Sequence, residues 1–164
     1  MFDSSVVPLS HSLKSLSAIL KKAEAYCEAK KIDPSALLTA RLFPDMLPLI
    51  RQVLIATDHA KGCGARLAGV AVPSFPDEEK TFAQLQVRIT KTLDFIGSLK
   101  REQFAGAATR AISLKVGGKD MELKGAAYLS SVALPNFYFH VTTAYNILRH
   151  NGLEIGKSDF LGRN

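Results

Sequence analysis

Asn136 and His140 stand four residues apart near the C-terminal end of the chain. On a helix that spacing puts both side chains on one face. Imidazole is the commonest protein metal ligand, and a second donor one turn earlier is the usual geometry of a helix-borne site. Asn136, His140, Thr143 and Ile147 form one line, and Phe137, Val141, Ala144 and Leu148 form an apolar line beside it. The pair is therefore either metal-competent or a hydrogen-bonded part of the core.

A second polar pair, Asp58 and His59, lies in an earlier helical stretch. Adjacent helix residues point about 100° apart, so at most one of the two faces the same site. Asp58 has Leu47, Leu54 and Ala65 on its side, a setting that desolvates a carboxylate and demands a partner. His59 has Gln52, Gly62 and Arg66 around it, which reads as a solvated face. Asp58 is thus the expected inward group; its alternative is a surface pair with Lys61 or Arg51, worth little. Cys63 follows His59 by one turn, but no third group orients the two, so a buried, inert thiol is expected. His11 and His150 look peripheral. No glycine-rich phosphate loop, cysteine-rich zinc pattern or nucleophile elbow is present.

These residues must be positioned by helices. Leu9, Leu13, Leu16, Leu20, Ala23 and Cys27 alternate steps of four and three, predicting a long helix over about residues 8–29. Asp33-Pro34 opens a short helix through Leu42, and Pro44 stops it. Asp45 is the expected cap of a second long helix from Met46 to about Leu67, weakened late by Gly62 and Gly64 and ended by Gly69. After a connector, Asp77, Glu78 and Glu79 are placed to start a third long helix with the stripe Phe82, Leu85, Ile89, Thr92/Leu93, Ile96 and Leu99. The period then changes to two: Ile112, Leu114 and Val116 face Met121 and Leu123 across Gly117-Gly118, a hairpin. Residues 126–134 give no clear signal. Pro135 to His150 is the fourth long helix, and the tail from Leu153 reads as irregular coil. The expected fold is mostly α, an up-down four-helix bundle with a short extra helix and a small β-hairpin before the last long helix.

The 164 residues suit one domain spanning 1–164, with 47% hydrophobic and 22% charged residues. Two cysteines without metal spacing suggest free thiols in a reducing compartment. The N-terminus lacks a basic region followed by an apolar run, and no window is apolar enough to span a membrane, so a cytoplasmic protein is expected. The net charge of +6 permits nucleic-acid binding, but the tightest basic cluster is Lys30-Lys31, and nucleic acid is not the expected partner.

The blocks Phe43-Pro-Asp-Met-Leu-Pro-Leu49, Ala60-Lys-Gly62, Ala65-Arg-Leu-Ala-Gly69, Thr81-Phe82, Asn136-Phe-Tyr-Phe-His140, Leu148-Arg-His-Asn-Gly152 and Asp159-Phe-Leu-Gly162 resemble a family of uncharacterised bacterial and fungal proteins in the DinB-like superfamily of four-helix bundles. Members of that superfamily include metal-dependent transferases acting on small thiols, and they frequently form homodimers. Their metal site typically uses one histidine from the second helix and a His-x-x-x-His pair from the fourth. Counted back from Gly152, His140 matches the last of these, and Asn136 stands where the preceding histidine belongs. On the second long helix Asp58 and His59 are nearest in register, with Gln52 a third candidate. The resemblance thus implies a metal set of His140, Asn136, Asp58 and His59. Trading imidazoles for a carboxamide and a carboxylate lowers zinc or nickel affinity, so the divalent metal (zinc, nickel or manganese) is weakly held or absent. The function implied is a pocket between the second and fourth helices in a degenerate thiol transferase. The alternative is a non-catalytic homodimerising module in which the polar trio is a structural network.

Overall fold

The structure is a computed structural model that describes residues 1–116 and 118–163. Its frame is a four-helix bundle made by α1 (Phe2–Lys30), α3 (Leu49–Ala68), α4 (Phe82–Ser98) and α6 (Leu134–His150), joined by α2 (Pro34–Leu38) and a two-stranded hairpin. The apolar stripes read from the sequence are the bundle's interior: Leu9, Leu13, Leu16, Leu20, Phe82, Leu85, Ile96, Phe137 and Ile147 are all buried. No helix among the described residues is long and apolar enough to cross a membrane.

Several boundaries differ from the sequence expectation, each for a physical reason. Helix α1 starts at Phe2, six residues before the expected start, and carries Pro8 inside it. Its first turn is held by tertiary contacts: Phe2 packs edge-on against Phe104 with ring centres 5.3 Å apart. Asp3 accepts two hydrogen bonds from Arg101, at 2.5 and 2.7 Å. Helix α2 is capped by Asp33 as expected but stops at Leu38 instead of Leu42, and the Thr39 hydroxyl donates back to the Ser35 carbonyl at 2.7 Å. Helix α3 starts at Leu49 with Pro48 as its N-cap, not at Met46 under an Asp45 cap. Proline pushes the residue before it out of the helical region, so Leu47 cannot belong to a first turn. Likewise α4 starts at Phe82, where the Thr81 hydroxyl accepts from the Gln84 amide. Asp77, Glu78 and Glu79 precede the helix.

The hairpin is β1 (Ala111–Val116) against β2 (Lys119–Lys124), with Ile112 opposite Leu123 and Leu114 opposite Met121. Gly117, half of the expected glycine turn, lies outside the described residues. The segment with no clear signal is helical: α5 (Gly125–Tyr128) passes through a π-turn (Leu129–Ala133) into α6. Pro135 has no N–H to give to a carbonyl one turn back, and the wider π-turn absorbs that break in the ladder. Gly125 lies so close to the Ala107 carbonyl that any Cβ would collide with it. Gly64 serves close packing too, since a Cβ there would stand 2.9 Å from Leu99 Cδ1 on the neighbouring helix end. The tail holds one turn of helix, α7 (Lys157–Phe160), where coil was expected, and Phe160 meets Tyr145 edge-on at 5.7 Å.

The connector 70–80 is fastened by Arg88. Its side chain is 1% exposed. Nη2 donates to Asp58 at 2.7 Å and to Asp77 at 3.2 Å; Nη1 donates to the Pro76 carbonyl at 2.9 Å and to Glu79 at 3.2 Å; Nε donates to the Thr57 hydroxyl at 3.1 Å. The Phe75 ring covers the guanidinium at 5.3 Å. Lys61, also buried, bonds the same Asp58 oxygen at 2.5 Å. Losing one partner of a buried ion network strands the others. Arg88→Ala is therefore expected to cost about 3–5 kcal/mol of unfolding free energy, and Arg88→Lys to recover only part, since an ammonium cannot fork to three carboxylates. Urea denaturation measures both; a loss of Arg88 worth less than about 1 kcal/mol would mean that the connector is held by other contacts.

Candidate functional site

The site forms where α3 packs on α6. Gln52, in the first turn of α3, is buried, and its Nε2 donates to the Leu47 carbonyl at 2.9 Å. That leaves Gln52 Oε1 as an acceptor, and it lies 2.7 Å from His140 Nδ1. Only an N–H can fill this contact, so Nδ1 carries the proton and the Nε2 of the neutral ring keeps its lone pair. His140 is neutral: burial, helped by the nearby His59, pushes its pKa down to about 4.

His59 stacks on His140, with ring centres 5.8 Å apart and planes 15° from parallel. Burial lowers its pKa as well; Asp58 opposes that shift and Arg66 and Lys61 assist it. Neither ring nitrogen of His59 has a hydrogen-bond partner among the described residues. The ring lines a cavity of about 270 Å³ shared with Arg66 of α3, Leu114 and Lys115 of β1, Tyr128 of α5, Val132 of the π-turn and Asn136 of α6. Asn136 Nδ2 donates to the Val132 carbonyl at 2.7 Å, leaving its side-chain oxygen as an acceptor. Arg66 Nη1 donates to the buried Tyr128 hydroxyl at 3.3 Å, and the guanidinium lies 5.9 Å from the centre of that ring. Gly62, one turn before Arg66, clears its path, because a Cβ there would collide with Nη1.

The structure inverts one sequence reading. His59, expected on a solvated face, is the residue that meets His140. Asp58, expected to look toward that histidine, is bonded to Lys61 and Arg88 on the side facing α4. Arg51, its other suggested surface partner, pairs with Asp77 at 2.7 Å instead. Gln52 was only a third candidate, yet it fixes the His140 tautomer. Arg66 and Tyr128 were not singled out at all. The one available signal was Gly62 a helical turn before Arg66, a spacing that lets a long side chain lie back along its own helix. Cys63 is buried, and burial lifts its thiol to about 12, so it is no nucleophile.

These positions were tested against the metal implied by the resemblance. Among the described residues no three His, Cys, Asp or Glu side chains are grouped to hold an ion. With Asp58 committed to two cations, the set reduces to two imidazoles and a carboxamide. Stacked, near-parallel rings send their in-plane lone pairs along separate planes and not to one point. The donor set does not fit a tightly held transition metal.

Comparison with known proteins places the chain. The family model described as "Domain of unknown function (DUF1993)" matches residues 1–161, and the chain belongs to that family. A crystal structure of a DinB family member protein from Shewanella denitrificans is 46% identical, covering 98% of this chain and 91% of that one, with a TM-score of 0.90. The bundle is thus of the DinB-like type. No curated protein matches the chain.

Both imidazoles titrate below their ordinary 6.5 when folded. The unfolded chain therefore binds more protons than the folded one between about pH 4 and 6.5. The stability tied to neutral rings is complete above pH 6.5 and is lost as the pH falls toward 4. Melting curves across that window should show the parent protein losing more than His140→Gln does; parallel losses would mean that His140 is not held neutral by the fold.

Proposed function

We propose that this DUF1993 protein binds a small polar molecule in the cavity between α3, α6 and the hairpin, with neutral His59 as the hydrogen-bond partner and proton acceptor. The observation that carries the reading is the unbonded His59 ring on the cavity wall, braced through His140 and Gln52 to the Leu47 carbonyl. A side chain meant only to fill space has no need of two successive groups to fix its neighbour. With its pKa lowered by burial, His59 is unprotonated at neutral pH and so meets a ligand as a hydrogen-bond acceptor. The volume is about nine times the share of one liquid water molecule, so the ligand is of small-metabolite size.

The reading needs no resident metal and no thiol nucleophile of the protein's own. A fragment screen by NMR on the full chain tests it. Bound fragments should shift His59, Tyr128 and Asn136 together, and His59→Ala, which breaks no hydrogen bond, should abolish those shifts without unfolding the protein. Added zinc, nickel or manganese should leave the melting temperature where it was. Fragments that gather instead in the groove beside α4, lined by Phe75 and Val87, would overturn the reading, as would a metal-induced rise that saturates at one ion per chain.

A further inference from the structure

Arg66 is a half-buried cation without a counter-ion. Among the described residues no carboxylate lies within ion-pair distance of it, and its one hydrogen bond runs to the Tyr128 hydroxyl. Guanidinium carries five N–H donors, so most remain to be filled. Tyr128, 2% exposed, accepts from Arg66 and still has its own O–H to give, which no acceptor among the described residues takes. Lys115 adds a second cation to the cavity wall. Its pair with Asp120 is long, 3.7 Å, and exposed, hence weak. Among the described residues no acidic side chain lines the cavity, while Leu114, Val132 and the Tyr128 ring supply apolar wall.

We infer that the cavity recognises a small molecule through a carboxylate or phosphate group, held by Arg66 and Tyr128 with Lys115 closing from the hairpin. This deepens the proposed function and rests on the cavity being the ligand site. A planar guanidinium meets an oxyanion through two parallel N–H bonds, and the phenol O–H supplies a third donor beside them. Gly62 is part of the device: only a residue without a Cβ leaves Nη1 where it lies. The apolar wall suits a ligand whose body is a short chain or ring.

Calorimetric and NMR titrations of the full chain with benzoate, inorganic phosphate and uncharged benzamide test the inference. Benzoate or phosphate should bind and shift Tyr128 and His59, with benzamide about tenfold weaker or worse, and the stronger of the two anions names the oxyanion. Arg66→Gln should weaken anion binding about tenfold or more. Gly62→Ala retains every charge and is the better helix former, so it should fold at least as stably while binding the anion less well. Benzamide binding as tightly as benzoate would overturn the anion inference and leave the cavity's role intact. Anion affinity unchanged in both Arg66→Gln and Gly62→Ala would do the same. If none of the three probes shifts Tyr128 or His59, both readings fall.

Discussion

A guanidinium almost wholly removed from water has to be surrounded by acceptors, and that demand on Arg88 organises this protein. Three carboxylates, one hydroxyl and one carbonyl meet it, drawn from α3, from the connector and from the residues just before α4. The connector is apolar in its first half, but none of its residues is fully buried, so core packing does little to fix its path. Its path is set instead by where Asp77 and Glu79 must stand to reach the same cation. The acidic residues before α4 are therefore not there to complement a helix dipole. Thr81 and Gln84 cap that helix, and Asp77 and Glu79 are left to Arg88.

The character of the site follows from the same constraint. Asp58 is the one carboxylate on the middle of α3, and it is bound to Arg88 and Lys61. The neighbouring face of the helix, turned about 100° away, then carries His59 and Arg66, with no acid among the described residues to balance them. Burial without a nearby free carboxylate keeps both imidazoles neutral, and among the described residues it leaves Arg66 without a counter-ion. Negative charge is concentrated on one flank of α3 and withheld from the other. Net charge along the sequence gives no hint of this division, because it depends on which way each side chain turns.

The bundle was legible because apolar periodicity is a local property: the leucine stripe of α1 and the stripe from Phe82 to Leu99 bury as written. The hairpin was legible for the same reason, its period of two being unlike anything around it. What failed depended on distant partners. Asp58 was expected to face inward because its helical neighbours are apolar, but its side chain is 39% exposed at the edge of α3 and α4. The group it turns to, Arg88, is thirty residues away and on another helix, so local pattern assigned the wrong side to the Asp58–His59 pair. The start of α1 failed similarly, since Arg101 and Phe104 hold a turn that the apolar stripe does not reach. Pro135 was read as the start of the last long helix and stands in its first turn; the helical turns that run into it, α5 and the π-turn, leave no compositional trace.

Asn136 and His140 drew notice through their spacing, and the two side chains turn out to have separate duties. His140 faces Gln52 and braces His59, whereas Asn136 donates to Val132 within the π-turn and offers only an oxygen to the cavity. An imidazole in place of Asn136 would add a third strong metal donor, and the carboxamide does not. The neighbouring charges point the same way. A dication in this cavity would lie near the half-buried Arg66 guanidinium, which has no counter-ion among the described residues, and near the exposed Lys115 ammonium, and both would repel it. An anion reverses the sign of both interactions. The missing imidazole at position 136 and the cations Arg66 and Lys115 on the cavity wall therefore both weigh against a dication, and under the proposed function they favour an anionic ligand beside the neutral histidines.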